Sequence, residues 1–206
     1  MANDLATLRG KLDTQLRDTG HEAWEQTEKE DLITWAVHSL YPRRARVMDE
    51  PIYPLDPEME DYAVPTGMRE VNRVDWGQVS TDHFVVRLPG DVWYTYGEPT
   101  SLVLWVSRDY TSADYYLIAH GYGVYDLTSN LIPDEYVPLV LARARSEAYR
   151  RMAGDRARFE QWLSSNQTQN MSVNELLQLI QDADDQAERL DRMLPRAQRL
   201  PVPGRQ

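Results

Sequence analysis

His21-Glu22-Ala23-Trp24-Glu25 begins like the zinc-protease motif, in which two histidines one helical turn apart hold the ion and the glutamate acts as a base. Position 25 is glutamate where the second histidine is required, so the motif is incomplete. His38, His83 and His120 lie on unrelated helix-like and strand-like stretches, and no metal site is expected. His120-Gly-Tyr-Gly-Val-Tyr-Asp126 has paired glycines without the GxGxxG phosphate turn. No GxxxxGK[ST] sequence occurs either. The glycines read instead as places where a strand bends or bulges. Ser101, Ser107 and Ser112 lack the GxSxG elbow, and any carboxylate pair drawn from 33 acids would be arbitrary. With no cysteine, disulfides, thiolate metal sites and cysteine nucleophiles are excluded. The expectation is no catalytic residue, no cofactor and no metal: a protein that is not an enzyme.

The remaining chemistry is charge. Arg43, Arg44 and Arg46 crowd into four residues, with Asp49 and Glu50 close behind. Arg143, Arg145, Arg150, Arg151, Arg156 and Arg158 decorate two consecutive helices. RRAR is too short, and too poor in flanking aromatics, to predict a nucleic-acid site. The net charge of −11 is uneven. Residues 51–140 hold 4 Lys/Arg against 14 Asp/Glu, while residues 141–206 hold 11 against 9. So acidic a middle repels phosphate, and the arginines are read as protein-facing, either a solvated helix face or a cationic surface for a neighbouring copy.

The elements that must position these groups follow from periodicity. Leu5, Leu8, Leu12 and Leu16 predict an amphipathic helix ending near Gly20. A second helix is predicted from a Thr27/Glu30 capping box, with Leu32, Ile33, Ala36, Val37 and Leu40 inward and a stop at Pro42. From about residue 50 prolines, β-branched residues and aromatics take over, and 14 of the 20 aromatics fall in residues 51–140. REVNRVDW, HFVVRL, DVWYTY, SLVLWV and YYLIAHGYGVY read as strands. Helix returns after Pro133, with Gly154 as a left-handed cap, Asp155 capping the next helix, and a Ser172/Glu175 capping box opening a long one that runs to Leu194. Val173, Leu177, Ile180, Ala183, Ala187, Leu190 and Leu194 form its expected stripe.

The predicted fold is α+β. A small helical bundle, residues 1–50 and 130–194, carries an inserted antiparallel β subdomain, residues 51–129, and a long C-terminal helix followed by an extended tail, residues 195–206. Trp93, Tyr94 and Tyr96 would be the first suspects for a sugar-stacking face, against the plainer reading that they fill the core. No apolar run is long enough to span a membrane, and the N-terminus has no signal-peptide pattern, so synthesis in a cytoplasm is expected. NQT at Asn166 and NMS at Asn170 match glycosylation sequons and carry no weight here.

The helical pair, YAVPTGMREVNRVDW leading into the β insertion, then IPDEYVPLVLARARSEAYRRMAGD and further helices together resemble the head-to-tail connector or adaptor proteins of tailed bacteriophages. The resemblance covers about residues 5–194 and rests on element order, since the family has no catalytic signature. It implies a virion neck component, made in the host cytoplasm. Such a component forms a homo-oligomeric ring, typically of twelve copies, beneath the portal protein and joins it to a tail, completion or stopper protein. Double-stranded DNA would pass through the lumen without specific binding. It further implies a C-terminal segment that reaches the portal. Together with the charge reading, the expected protein-contact residues are Arg43, Arg44, Arg46, Arg143, Arg150, Arg151, Leu190, Leu194, Arg196, Arg199, Leu200 and Arg205. A head- or tail-completion protein, a carbohydrate-binding β module and, last, an unrecognised hydrolase are the rival readings.

Overall fold

The structure, a computed structural model, describes residues 3–78, 85–98, 100–125, 127, 132–165 and 171–194. Among the described residues the chain forms two compact units, one from residues up to 40 together with those from 125 to 194, the other from residues 41–124. The fold is mixed α+β, with five α-helices and two antiparallel sheets among the described residues.

In the helical unit, α1 (Leu5–Leu16) is capped by Asp4, which accepts from the Thr7 N–H at 2.7 Å. Leu8, Leu12 and Leu16 are fully buried. The helix ends at Leu16, with Arg17 left-handed at φ 53°, short of the expected Gly20. The Asp18 carboxylate causes the early stop, because it accepts the N–H groups of Glu22, Ala23 and Trp24 and folds the chain back on itself.

The second helix, α2 (Gln26–His38), has its capping box at Glu25 and Glu28, two residues before the expected Thr27/Glu30 pair. Glu30 is engaged elsewhere, by Arg9 and by Gln26. After a 3-10 turn at Asp134–Tyr136 comes α3 (Val137–Ala153), carrying Pro138 in its first turn. Gly154 is right-handed, at φ −85°, so the expected left-handed cap is absent. The chain needs no reversal there, because Asp155 at once caps α4 (Arg156–Ser165) by accepting from the Arg158 N–H. The expected Ser172/Glu175 box does open α5 (Val173–Met193), and hydrogen bonds from the Ser172 backbone hold the Glu175 carboxyl below its usual range. Trp24, Leu139, Val140, Met152 and Leu176 anchor one continuous core in this unit.

The β unit holds β1 (Arg46–Ile52), β2 (Asp61–Ala63), β3 (Met68–Gln78), β4 (Val85–Arg87), β5 (Trp93–Tyr96), β6 (Val103–Val106) and β7 (Tyr115–Gly123). One sheet runs β1-β7-β3-β4 and the other β2-β6-β5. The glycines of the HGYG segment lie where backbones meet. Gly121 faces Val71 at an irregularity in β3, and a Cβ there would collide with the Glu70 carbonyl. Leu104, Val106, Val74 and Leu117 center this unit's own core.

Candidate interaction surfaces

Two polar clusters bring together the residue types that carry chemistry, and in both the lysine or histidine nitrogens are held by carboxylates, while Asp75 Oδ1 in the second is buried without a hydrogen-bond partner. The Lys29 ammonium, fully buried, lies 2.7 Å from Asp13 Oδ1, 2.8 Å from Asp18 Oδ2, 2.7 Å from the Asp18 carbonyl and 2.9 Å from His21 Nδ1. Its three protons are therefore committed, and His21, the lone histidine of the failed zinc motif, belongs to this knot.

On β7, His120 has carboxylate oxygens at both ring nitrogens, Asp49 at 2.6 Å and Asp75 at 2.9 Å, with Arg73 bridging to Asp75 at 2.8 Å. The strand register sets this up, pairing His120 with Asp49 on β1 and Arg73 on β3. Neither nitrogen is left to accept a substrate proton. Among the described residues no group of three or more His, Asp or Glu could hold a metal ion, and no helix is long and apolar enough to cross a membrane.

Most of the predicted arginines are engaged within their own unit. Arg143 bonds Asp191 at 2.9 Å and the Ser39 carbonyl, and Arg150 bonds Asp184 at 2.7 Å. Arg151 pairs with Glu147, and Arg158 with Glu28. Arg143, Arg150 and Arg158 thus face acids of α5 and α2, which the one-dimensional count of basic residues did not reveal. Arg46 pairs with Glu50 at 3.6 Å. Arg43 is exposed and also engaged, while Arg44 is buried at 1 % exposure. Charge reversal across RRAR would therefore not spare the fold, since a carboxylate at position 44 would replace a buried cation. Leu190 and Leu194 are partly buried against the helical core. Arg196, Arg199, Leu200 and Arg205 lie outside the described residues. An open groove of about 520 Å³ borders His21, Glu25, Glu28 and Arg158, and its one arginine is already paired with Glu28 and Asp155.

Apolar exposure is concentrated elsewhere. The inward side of α5 runs through Leu176, Ala183, Ala187 and Asp191, with Ile180, Leu190 and Leu194 of the predicted stripe packed against the same core, and leaves Val173 and Leu177 of that stripe in solvent; Met193, 76 % exposed, lies at the other end and on the opposite side of the helix. Val47 on edge strand β1 and Val85 and Val86 on edge strand β4 are also exposed.

The second sheet has an aromatic outer face. Register places Asp61, Trp105 and Tyr94 in one row and Ala63, Val103 and Tyr96 in the next. Tyr94 and Trp105 stack at 4.9 Å with planes 21° apart, Tyr96 lies 6.0 Å from Tyr94, and the Tyr96 hydroxyl bonds Asp61, which raises its pKa. Trp105 Nε1 donates to Glu60 at 3.3 Å. Trp93, a first suspect for exposure, instead packs against the core, paired with buried Val106. Trp105 went unnoticed in the sequence. The signal was the alternation in VLWV, where buried Leu104 and Val106 force Trp105 outward.

No model of a known protein family matches the chain, and no curated protein does. Among solved structures, a chain from the neck of an empty GTA particle computed with C6 symmetry matches at a TM-score of 0.34 and 9% identity. The match covers 66% of this chain and 74% of that one. At that score no residue here takes a role from it.

Proposed function

We propose that this chain is a structural neck component of a tailed-phage particle: a head-to-tail adaptor that assembles with sister copies into a ring of about twelve beneath the portal and connects it to the tail. The observation that carries the reading is where the unused surface lies. In the polar clusters of the kind that do chemistry the lysine and histidine nitrogens are taken up by neighbouring carboxylates, whereas apolar side chains stand in solvent on the strand edges, on the second sheet and along α5. Exposed apolar area in separate patches is what a subunit with several protein neighbours carries. The element order that raised the adaptor resemblance, two helices, strands, then three helices, is also the order in which the chain is built.

In this reading the Val173 and Leu177 side of α5 meets the portal, and the β unit meets sister copies. DNA passes a lumen whose carboxylates keep it mobile. The test is to mix the full chain with a cognate portal ring and weigh the product by native mass spectrometry. Uptake of a fixed number of copies supports an adaptor. No uptake at any ionic strength removes it and leaves a completion protein or a sugar-binding module in its place.

A further inference from the structure

We propose that the outer aromatic face of the β2-β6-β5 sheet is the docking site for the proline- and arginine-rich tail, residues 195–206, of a neighbouring copy. The inference rests on the ring reading above and names one of its contacts.

Three observations support it. The first is shape. Stacking of Tyr94 on Trp105 covers one face of each ring, and with Tyr96 the exposed rings form adjacent ridges. Ridges of this kind accept the pyrrolidine rings of an extended proline-rich strand.

The second is backbone chemistry. The tail reads PRAQRLPVPGRQ, and its three prolines have no N–H to add a strand to the free edge of β5. Its carbonyls remain available, and the Tyr94 hydroxyl, 52 % of whose residue surface is exposed, is a donor on that face.

The third is charge. The tail holds three arginines and no acid, whereas residues 41–124 hold 7 Arg against 13 Asp/Glu, with Asp61 and Glu60 bordering the aromatic rows. A donor tail and an acceptor face on each copy are the two unlike patches that a head-to-tail ring requires.

The experiment uses two full-length variants. Tyr94→Ser with Tyr96→Ser removes the face and keeps the tail. Arg199→Glu with Arg205→Glu spoils the tail and keeps the face. Tyr94 and Tyr96 are exposed and outside the β unit's core, and thermal melts matching the parent chain check that each variant is folded. Each variant alone should remain a monomer, while an equimolar mixture should form a 1:1 pair by native mass spectrometry with one partner isotope-labelled. A free peptide of residues 195–206 should displace the pair and quench tryptophan fluorescence, with at least about tenfold weaker binding to the face variant and weakening with salt.

A mixture that stays monomeric overturns the proposal, even if the peptide binds, because the tail then folds onto its own chain. Quenching by oligosaccharides and not by the peptide overturns it as well. The portal mixture is read separately. Portal uptake without pairing sinks only this contact, and pairing without portal uptake sinks the adaptor reading.

Discussion

At the scale of single residues, the two lysines of the chain have opposite fates: Lys11 is exposed and Lys29 is sealed between two aspartates. A cation in that position is maintained only because every proton has an acceptor, and its removal leaves the Asp13 and Asp18 carboxylates with no cation between them. Lys29→Met should therefore lower unfolding free energy by roughly 3–5 kcal/mol, read as a shift in the urea midpoint at unchanged slope. A change within experimental error would mean that Asp13 and Asp18 are satisfied without it. None of this was legible in the sequence, because Asp13, Asp18, His21 and Lys29 do not share a helix face and meet only after the chain has reversed. What could be read at this scale was the failure of the zinc motif, which needs only one position to be checked, and the role of the HGYG glycines, which follows from the missing Cβ.

At the scale of elements, α5 separates two neighbouring leucines. Leu176 is fully buried in the helical core, and Leu177 is 52% exposed. Leu176→Ala should cost about 2–5 kcal/mol of stability, whereas Leu177→Ser should stay within about 0.5 kcal/mol and reduce portal uptake. Paired denaturation curves and uptake assays check this, and equal destabilisation by both would mean the stripe is misplaced. Periodicity found this helix, its capping box and its length. It also found most of the inward stripe, Ile180, Ala183, Ala187, Leu190 and Leu194, and missed at the first turns, where Val173 and Leu177 are as apolar as Leu176 and only packing against the rest of the bundle decides between them. Proline and charge likewise hid β1: Pro51, Asp49 and Glu50 argue against a strand, yet an edge strand tolerates all three where a central one would not. The α2 cap was misplaced because Glu30 is drawn to Arg9, a partner on another helix.

At the scale of the whole molecule, the −11 charge and the internal pairing of the arginines act together. A guanidinium already bridged to a carboxylate displaces no counterion from DNA, so the basic runs in the sequence overstate the cationic surface. Full-length protein at moderate salt should leave the mobility of a linear duplex unchanged in a gel-shift assay. A retarded band whose affinity falls steeply with salt would place a phosphate-binding surface on the chain. The fold class was legible because aromatic strands and leucine-spaced helices occupy separate stretches. The contact surfaces were less so, since exposure is decided by neighbours distant in sequence. The sealed lysine also bears on how the protein can be handled. With Lys29 out of reach and no lysine at all in residues 41–124, amine-reactive tags and crosslinkers will modify the lysine side chains at Lys11 alone, and mapping the β unit's neighbours will require chemistry aimed at carboxylates or tyrosines.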